Sequence, residues 1–364
     1  MYFKNTYSIL KQDTHKEDLS SLAFCLNWFK EKNKIENFFF TKSCTQSLEL
    51  SLLLLKLPPS SEVIMPSYAF VSLGNAVNNL GLKCVFVDCE ASTMNINPNA
   101  IESAVTENTK AVITINYGGV SCDYDKIRKI CSKHDLFLIE DNAHGILGKY
   151  KDEFLGTIGD ISCFSFDHLK NFTSFQGGGI AINNKDLLQD FFISSEFGTN
   201  RKDCIAGDID FYEWRGKGTN SVLAAPLLNV LQPQLEKSDY IISGFNAIWD
   251  QYKTALSPLE RDSFITLAQL PLYATHNAHM FWLKTKNKAE RTALIAHLAK
   301  NGIESSSHYA PLHNSEYGNK IGEFRGRDLN TCTESEKLLR LPMYLDLDSN
   351  RINFITQCIF KFFK

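Results

Sequence analysis

The sequence predicts an α/β protein, with a large domain built on a mainly parallel sheet and a smaller α+β domain behind it. Val63-Ile64-Met65, Cys84–Val87, Ala111–Ile115 and Phe137–Ile139 are short continuous apolar runs, the pattern of strands buried on both faces. Helical stretches separate them. From Tyr124 to Lys133 the apolar positions Tyr124, Ile127, Ile130 and Cys131 recur at three-and-four spacing, which gives one face to a sheet. Strands alternating with helices specify a layered α/β sheet, and ligands of such sheets collect beyond the carboxyl ends of the strands.

Taken in order, the first element of interest is the segment Thr41-Lys42-Ser43-Cys44-Thr45-Gln46-Ser47, just before the apolar run Leu48–Leu57. Small hydroxyl residues at a helix start either cap it or, with the free first-turn N–H groups of Cys44 and Thr45, hold an anion. The run Leu136–Ile139 then ends in Glu140 and Asp141. Asp141 either caps the next turn, with Glu140 solvated beside it, or faces a pyridinium nitrogen and keeps it protonated. His144 either meets a ring hydroxyl or is an ordinary satisfied histidine. The strand Ile161–Phe166 leads to Lys170 and, a few residues later, to Gly177-Gly178-Gly179. A lysine so placed is either a solvated residue or the amine that holds pyridoxal phosphate (PLP). Ser165 adds a hydroxyl that suits the same phosphate.

A break rich in glycine and charge spans Gly198 to Asn220, before a helical run from Ala224 to about Leu256. Ser257–Thr275, with Pro258 and Pro271, reads as a linker, which divides the chain into 1–256 and 257–364. In the second part Met280–Leu283 reads as a strand and Ala289–Lys300 as a helix. Thr333-Glu334-Ser335-Glu336 reads as a capping box opening a helix through Leu339.

Bulk properties narrow the class. A chain of 364 residues with 44% hydrophobic and 12% aromatic content buries a large core, and a net charge of -3 without basic blocks argues against a nucleic-acid partner. Ten cysteines without a C-x-x-C pair read as reduced thiols of a cytoplasmic protein. No apolar run reaches the roughly 20 residues of a membrane span. His276/His279 and His308/His313 lack the cysteines or carboxylates at short spacing that mark zinc sites, so no metal is expected. No G-x-S-x-G elbow is present, and Gly177–Gly179 do not form G-x-G-x-x-G.

The order of phosphate helix, acid-ended strand and lysine loop resembles the DegT/DnrJ family of sugar-nucleotide aminotransferases. The resemblance runs through Val63–Ser72, Val85–Asp88, Asn116–Val120 and Glu140–Gly145 to the lysine loop, then through Gly198–Arg201, Tyr212–Arg215, Asn277–Phe281, His308–His313 and Leu339–Met343. The last motifs are most similar to the branch that aminates C4 of dTDP-4-dehydro-6-deoxyglucose. The resemblance implies an aspartate-aminotransferase fold (PLP fold type I), with Lys170 as cofactor anchor and acid–base. It implies Asp141 at the pyridine nitrogen, His144 at the ring hydroxyl, and Ser165, Cys44 and Thr45 at the phosphate. Tyr68 is either a partner stacked on the cofactor or a core aromatic. Arg215, His308, Tyr309 and His313 fall where the family recognises substrate, and Asn220 where it reaches a partner's phosphate. A dTDP-sugar acceptor, an L-glutamate donor, a homodimer and a role in surface-polysaccharide synthesis follow by the same resemblance. Amination at C3, and a non-catalytic binding relative, are the alternatives. The chain departs from the family at its amino end, which has no glycine before Gly74. It departs again at Asp167, at Phe175-Gln176 and at Thr219–Pro226, where a partner contact is expected.

Overall fold

The computed structural model describes residues 20–364. The amino-terminal departure at Met1–Tyr7 lies outside the described residues. At the centre is an eight-stranded sheet, ordered Phe38–Thr41, Gly178–Ile182, Ile161–Ser165, Phe137–Asp141, Thr109–Ile115, Glu62–Pro66, Lys83–Val87 and Gly322–Phe324. The last six run parallel, and Gly178–Ile182 is antiparallel to both of its neighbours.

The continuous apolar runs are explained by cover on both faces. Val63 and Met65 pack into one cluster and Ile64 into another; Cys84 and Phe86 separate from Val85 and Val87 in the same way, as does Ile139 from Leu138. Successive strand residues point to opposite faces, so a strand covered twice has no polar position to spare. Helices Cys44–Leu54 and Ser72–Asn79 serve the first cluster, and Pro98–Ala104 and Tyr124–His134 the second. A third cluster packs Phe38, Phe40, Phe164 and Phe166 under helices Ser20–Lys32 and Leu228–Glu236. This sheet with its helices is the fold-type I architecture expected.

Three expectations about elements need correction. Ser257–Thr275 is not a linker from its start, because one helix runs from Ser238 to Arg261 and carries Pro258 inside it. Proline lacks the N–H that would reach the carbonyl four residues earlier; here the Ser257 hydroxyl donates to that Thr254 carbonyl at 3.0 Å. The boundary after residue 256 thus falls within a helix. The helix near Thr333 spans Thr331–Lys337, and Leu338–Leu341 is a strand. The Asp88 carboxylate accepts from the Thr331 N–H and hydroxyl at 2.8 and 2.6 Å, which starts the helix early. Leu338–Leu341 pairs antiparallel with Phe281–Lys284, itself paired with Thr266–Leu267. Finally, Gly322–Phe324 leaves the carboxyl-terminal part and adds an edge strand to the large sheet.

Among the described residues no helix is long and apolar enough to cross a membrane. The ten cysteines are free.

Candidate active site

The strands ending at Ile115, Asp141 and Ser165 are neighbours, and their carboxyl ends open onto one cavity of about 490 Å³. Ser43, Cys44, Thr45, His144, Lys170, Gln176 and Gly177 also line it, with His279, His308, Tyr309 and Arg340 from the later chain. Its size suits a bound cofactor.

The helix Cys44–Leu54 begins at Ser43, whose side chain accepts from the Gln46 N–H at 3.1 Å. Cys44 and Thr45 are in the first turn, where no carbonyl four residues back within the helix exists to receive their N–H groups. The macrodipole adds positive potential at that point. Ser165 and Thr41 both pair with Gly178, so strand end and helix start stand side by side. Glycine is required at 178, because a Cβ would lie 2.5 Å from the Cys44 nitrogen.

Asp141 Oδ1 caps the next turn by accepting from the Ala143 N–H at 3.0 Å, and the carboxylate also lines the cavity. Burial raises its pKa, and the adjacent Lys170 partly offsets this. A cationic ring nitrogen is the partner such a carboxylate lacks. Glu140 is fully buried and not solvated. It accepts from the N–H groups of Gly156, Ile158 and Gly159 and from the Ser162 hydroxyl, at 2.8 to 3.0 Å.

Lys170 sits in a loop closed by Phe166 N–H to Gly177 carbonyl and Ser174 N–H to Phe166 carbonyl bonds. Burial lowers its pKa, with Cys44 and Asp141 opposing. His144 has its Nδ1 3.4 Å from the Gly118 N–H, which makes Nδ1 the acceptor and leaves the Nε2 proton for a ring hydroxyl. Burial, then the Lys170 charge, holds this imidazole neutral. His279 stacks on it at 4.2 Å and meets Asn171 Oδ1 at 2.6 Å. Asn277, two residues earlier, donates to the carbonyls of His144 and Ile146 and accepts through its own carbonyl from Asn171. One short segment therefore ties the acid loop to the lysine loop.

His308 and Tyr309 stack at 4.2 Å, and burial takes the His308 pKa down to about 3, helped by Arg340 and Lys170. His308 Nδ1 and Arg340 Nε are buried without a protein partner, while Arg340 Nη2 donates to Ser306 Oγ at 2.7 Å. Sequence pattern alone assigned no role to His279 or Arg340. A guanidinium within an otherwise apolar strand, Leu338–Leu341, was the available signal.

Four expected residues stand elsewhere. Tyr68 is a core aromatic, buried beside Tyr117 and Tyr309 with its hydroxyl donating to the His308 carbonyl at 2.5 Å, so it does not stack in the cavity. His313 turns away because the Leu312 N–H docks on the Ser67 carbonyl and the imidazole meets Ser67 Oγ at 2.6 Å. Arg215 is exposed, pairs with Glu213 at 2.8 Å and lines a different depression with Thr199 and Lys202. Asn220 is exposed beside Ser221, whose carbonyl receives the Lys42 N–H; its side chain does not line this chain's own cavity.

These residues fit PLP: a buried amine, a buried carboxylate, a neutral histidine donor and an anion cradle share one cavity. The DegT/DnrJ/EryC1/StrS aminotransferase family profile matches residues 27–360. An uncharacterized protein of Methanocaldococcus jannaschii is 33% identical over 83% of this chain and 79% of its own length. The spore coat polysaccharide biosynthesis protein SpsC of Bacillus subtilis is 27% identical over 87% of this chain and 83% of its own. The aminotransferase TlmJ of Streptoalloteichus hindustanus superposes with a TM-score of 0.85 at 23% identity, covering 94% of this chain and 90% of that one. The chain thus belongs to the DegT/DnrJ/EryC1/StrS aminotransferase family, as a PLP-dependent sugar aminotransferase.

Proposed function

We propose that this enzyme moves an amino group from L-glutamate to C4 of a dTDP-4-keto-6-deoxyhexose, giving a 4-amino-4,6-dideoxy sugar for surface polysaccharide. One observation carries the reading: His279, His308, Tyr309 and Arg340, which lie in the motifs most similar to the C4-aminating branch, line the same cavity as Lys170. The polysaccharide role is supported by the name of the Bacillus relative. The free thiols suit the cytoplasm.

When bound, PLP supplies the electron sink. The chain supplies the rest. Lys170, its proton affinity lowered by burial, would take the proton from the amino-bearing carbon of the donor in the first half-reaction and deliver one to the keto carbon of the acceptor in the second. Asp141 would keep the ring nitrogen protonated, His144 would donate to the ring hydroxyl, and Ser165 with the Cys44 and Thr45 amides would hold the phosphate.

The test is NMR of the product formed from dTDP-4-dehydro-6-deoxyglucose with glutamate and PLP. Nitrogen at C4 is expected, and Lys170→Ala is expected to abolish both product and the cofactor's lysine-bound absorbance. A C3-aminated product from a 3-keto sugar overturns the C4 assignment; no amino transfer with any keto sugar nucleotide overturns the acceptor class.

A further inference from the structure

We propose that His313, Asp328 and Cys332 form a binding site for a divalent transition-metal ion of the zinc class, separate from the Lys170 cavity. The three belong to the turn Leu312–Asn314, the loop after Phe324 and the helix Thr331–Lys337. Their ligand atoms all lie within 4.8 Å of one another. His313 Nε2 is 3.4 Å from Asp328 Oδ2 and 3.7 Å from Cys332 Sγ.

These spacings are those of a coordination shell. Tetrahedral bonds of about 2.0 Å to nitrogen and oxygen and about 2.3 Å to sulfur give N–O and N–S edges of roughly 3.3 and 3.6 Å. A direct histidine–carboxylate bond sits closer, at about 2.7–2.9 Å. The far side of the imidazole supplies a second, independent observation. Ser67 Oγ, 2.6 Å from Nδ1, holds the ring with Nε2 toward the acid and the thiol, the outer-shell support that ligating histidines carry.

The charges match as well. Neutral imidazole, carboxylate and thiolate sum to -2, which a divalent ion neutralises; the sulfur–hydrogen bond breaks as sulfur–metal forms, and the proton leaves to solvent. The side chains of His313 and Asp328 are 13% and 20% exposed, which leaves an entry path and a fourth position for water. An ion here clamps the 308–314 segment to helix Thr331–Lys337 and so fixes the wall that carries His308 and Tyr309. The sequence spacing hides the site, because His313 stands fifteen residues before Asp328.

The test uses the full-length protein, stripped with chelator and titrated with Co²⁺. One equivalent is expected to bind, with a thiolate-to-cobalt charge-transfer band that Zn²⁺ displaces. Cys332→Ser is expected to remove that band while Cys204→Ser keeps it, and Ser67→Ala to weaken binding about 10- to 100-fold. Metal-free thermal unfolding of each variant checks that it is folded. Absence of stoichiometric binding, or a band that survives in folded Cys332→Ser, overturns the proposal.

Discussion

Arg340 brings a guanidinium into the Lys170 cavity, and its buried Nε has no protein partner. A buried charged donor of this kind is satisfied by an anion, and the carboxylate of the amino donor is one anion this reaction provides. A charge-assisted bond contributes about 1.5–3 kcal/mol, so Arg340→Gln is expected to raise KM for glutamate roughly 10- to 100-fold with kcat little changed. Steady-state kinetics with each substrate varied in turn decide it; equal shifts in both KM values sink the assignment. That Lys170, Asp141 and Ser165 share one cavity was legible in the sequence, because they stand at strand ends or in the loop after one. Arg340, His279 and Tyr68 were not. Whether a side chain faces the cavity or the core is set by packing between segments far apart in the chain, as the His308 carbonyl over the Tyr68 hydroxyl illustrates.

At the scale of elements, the edge strand Gly322–Phe324 is held at its end by an ion pair between buried Glu62 and half-buried Arg325. Arg325 meets Glu62 through two bonds of 2.7 and 2.9 Å and also pairs with Glu323. The Arg325 hydrogen bond, the largest cause, lowers the Glu62 pKa from 4.5 to about 2 against the opposing effect of burial. A depressed carboxylate pKa stabilises the fold fully above the unfolded value, and the contribution is lost as pH falls through the folded one. Glu62→Gln is therefore expected to cost on the order of 2–3 kcal/mol at pH 7, with the difference from wild type constant above about pH 5 and shrinking toward pH 2. Urea unfolding across that range measures it; a pH-independent difference sinks the account. Parallel strands were legible as apolar runs. Gly322–Phe324 was not, since it has three residues, no apolar run and a partner, Cys84–Phe86, that is remote in sequence. The extension of the helix through Pro258 was hidden for a similar reason, because the compensating Ser257 hydroxyl is visible only once the helix exists.

At the scale of the whole molecule, the segment from Phe197 to Trp214 leaves large apolar side chains uncovered, with Phe211 84% and Trp214 83% exposed, and Leu169 and Phe175 of the lysine loop are exposed as well. Exposed side chains of that size mark interaction surfaces where they are contiguous, and we propose a second copy of this chain as the occupant. Sedimentation velocity is expected to show a dimer that Phe211→Ser with Trp214→Ser shifts to monomer; a monomeric wild type refutes it. Arg215 and Asn220, which lie outside their own chain's cavity, belong to this same face-to-face question. The tie that Asn277 and His279 make between the acid loop and the lysine loop bears on how the enzyme is born. Lys170 and Asp141 leave the ribosome well before Asn277, so a nascent chain holds its reactive amine and its acid after two neighbouring strands whose loops still lack this second tie. The wall of the cavity is therefore completed late in synthesis, and a chain cut short before that asparagine holds every group named for the cofactor without the brace between their loops.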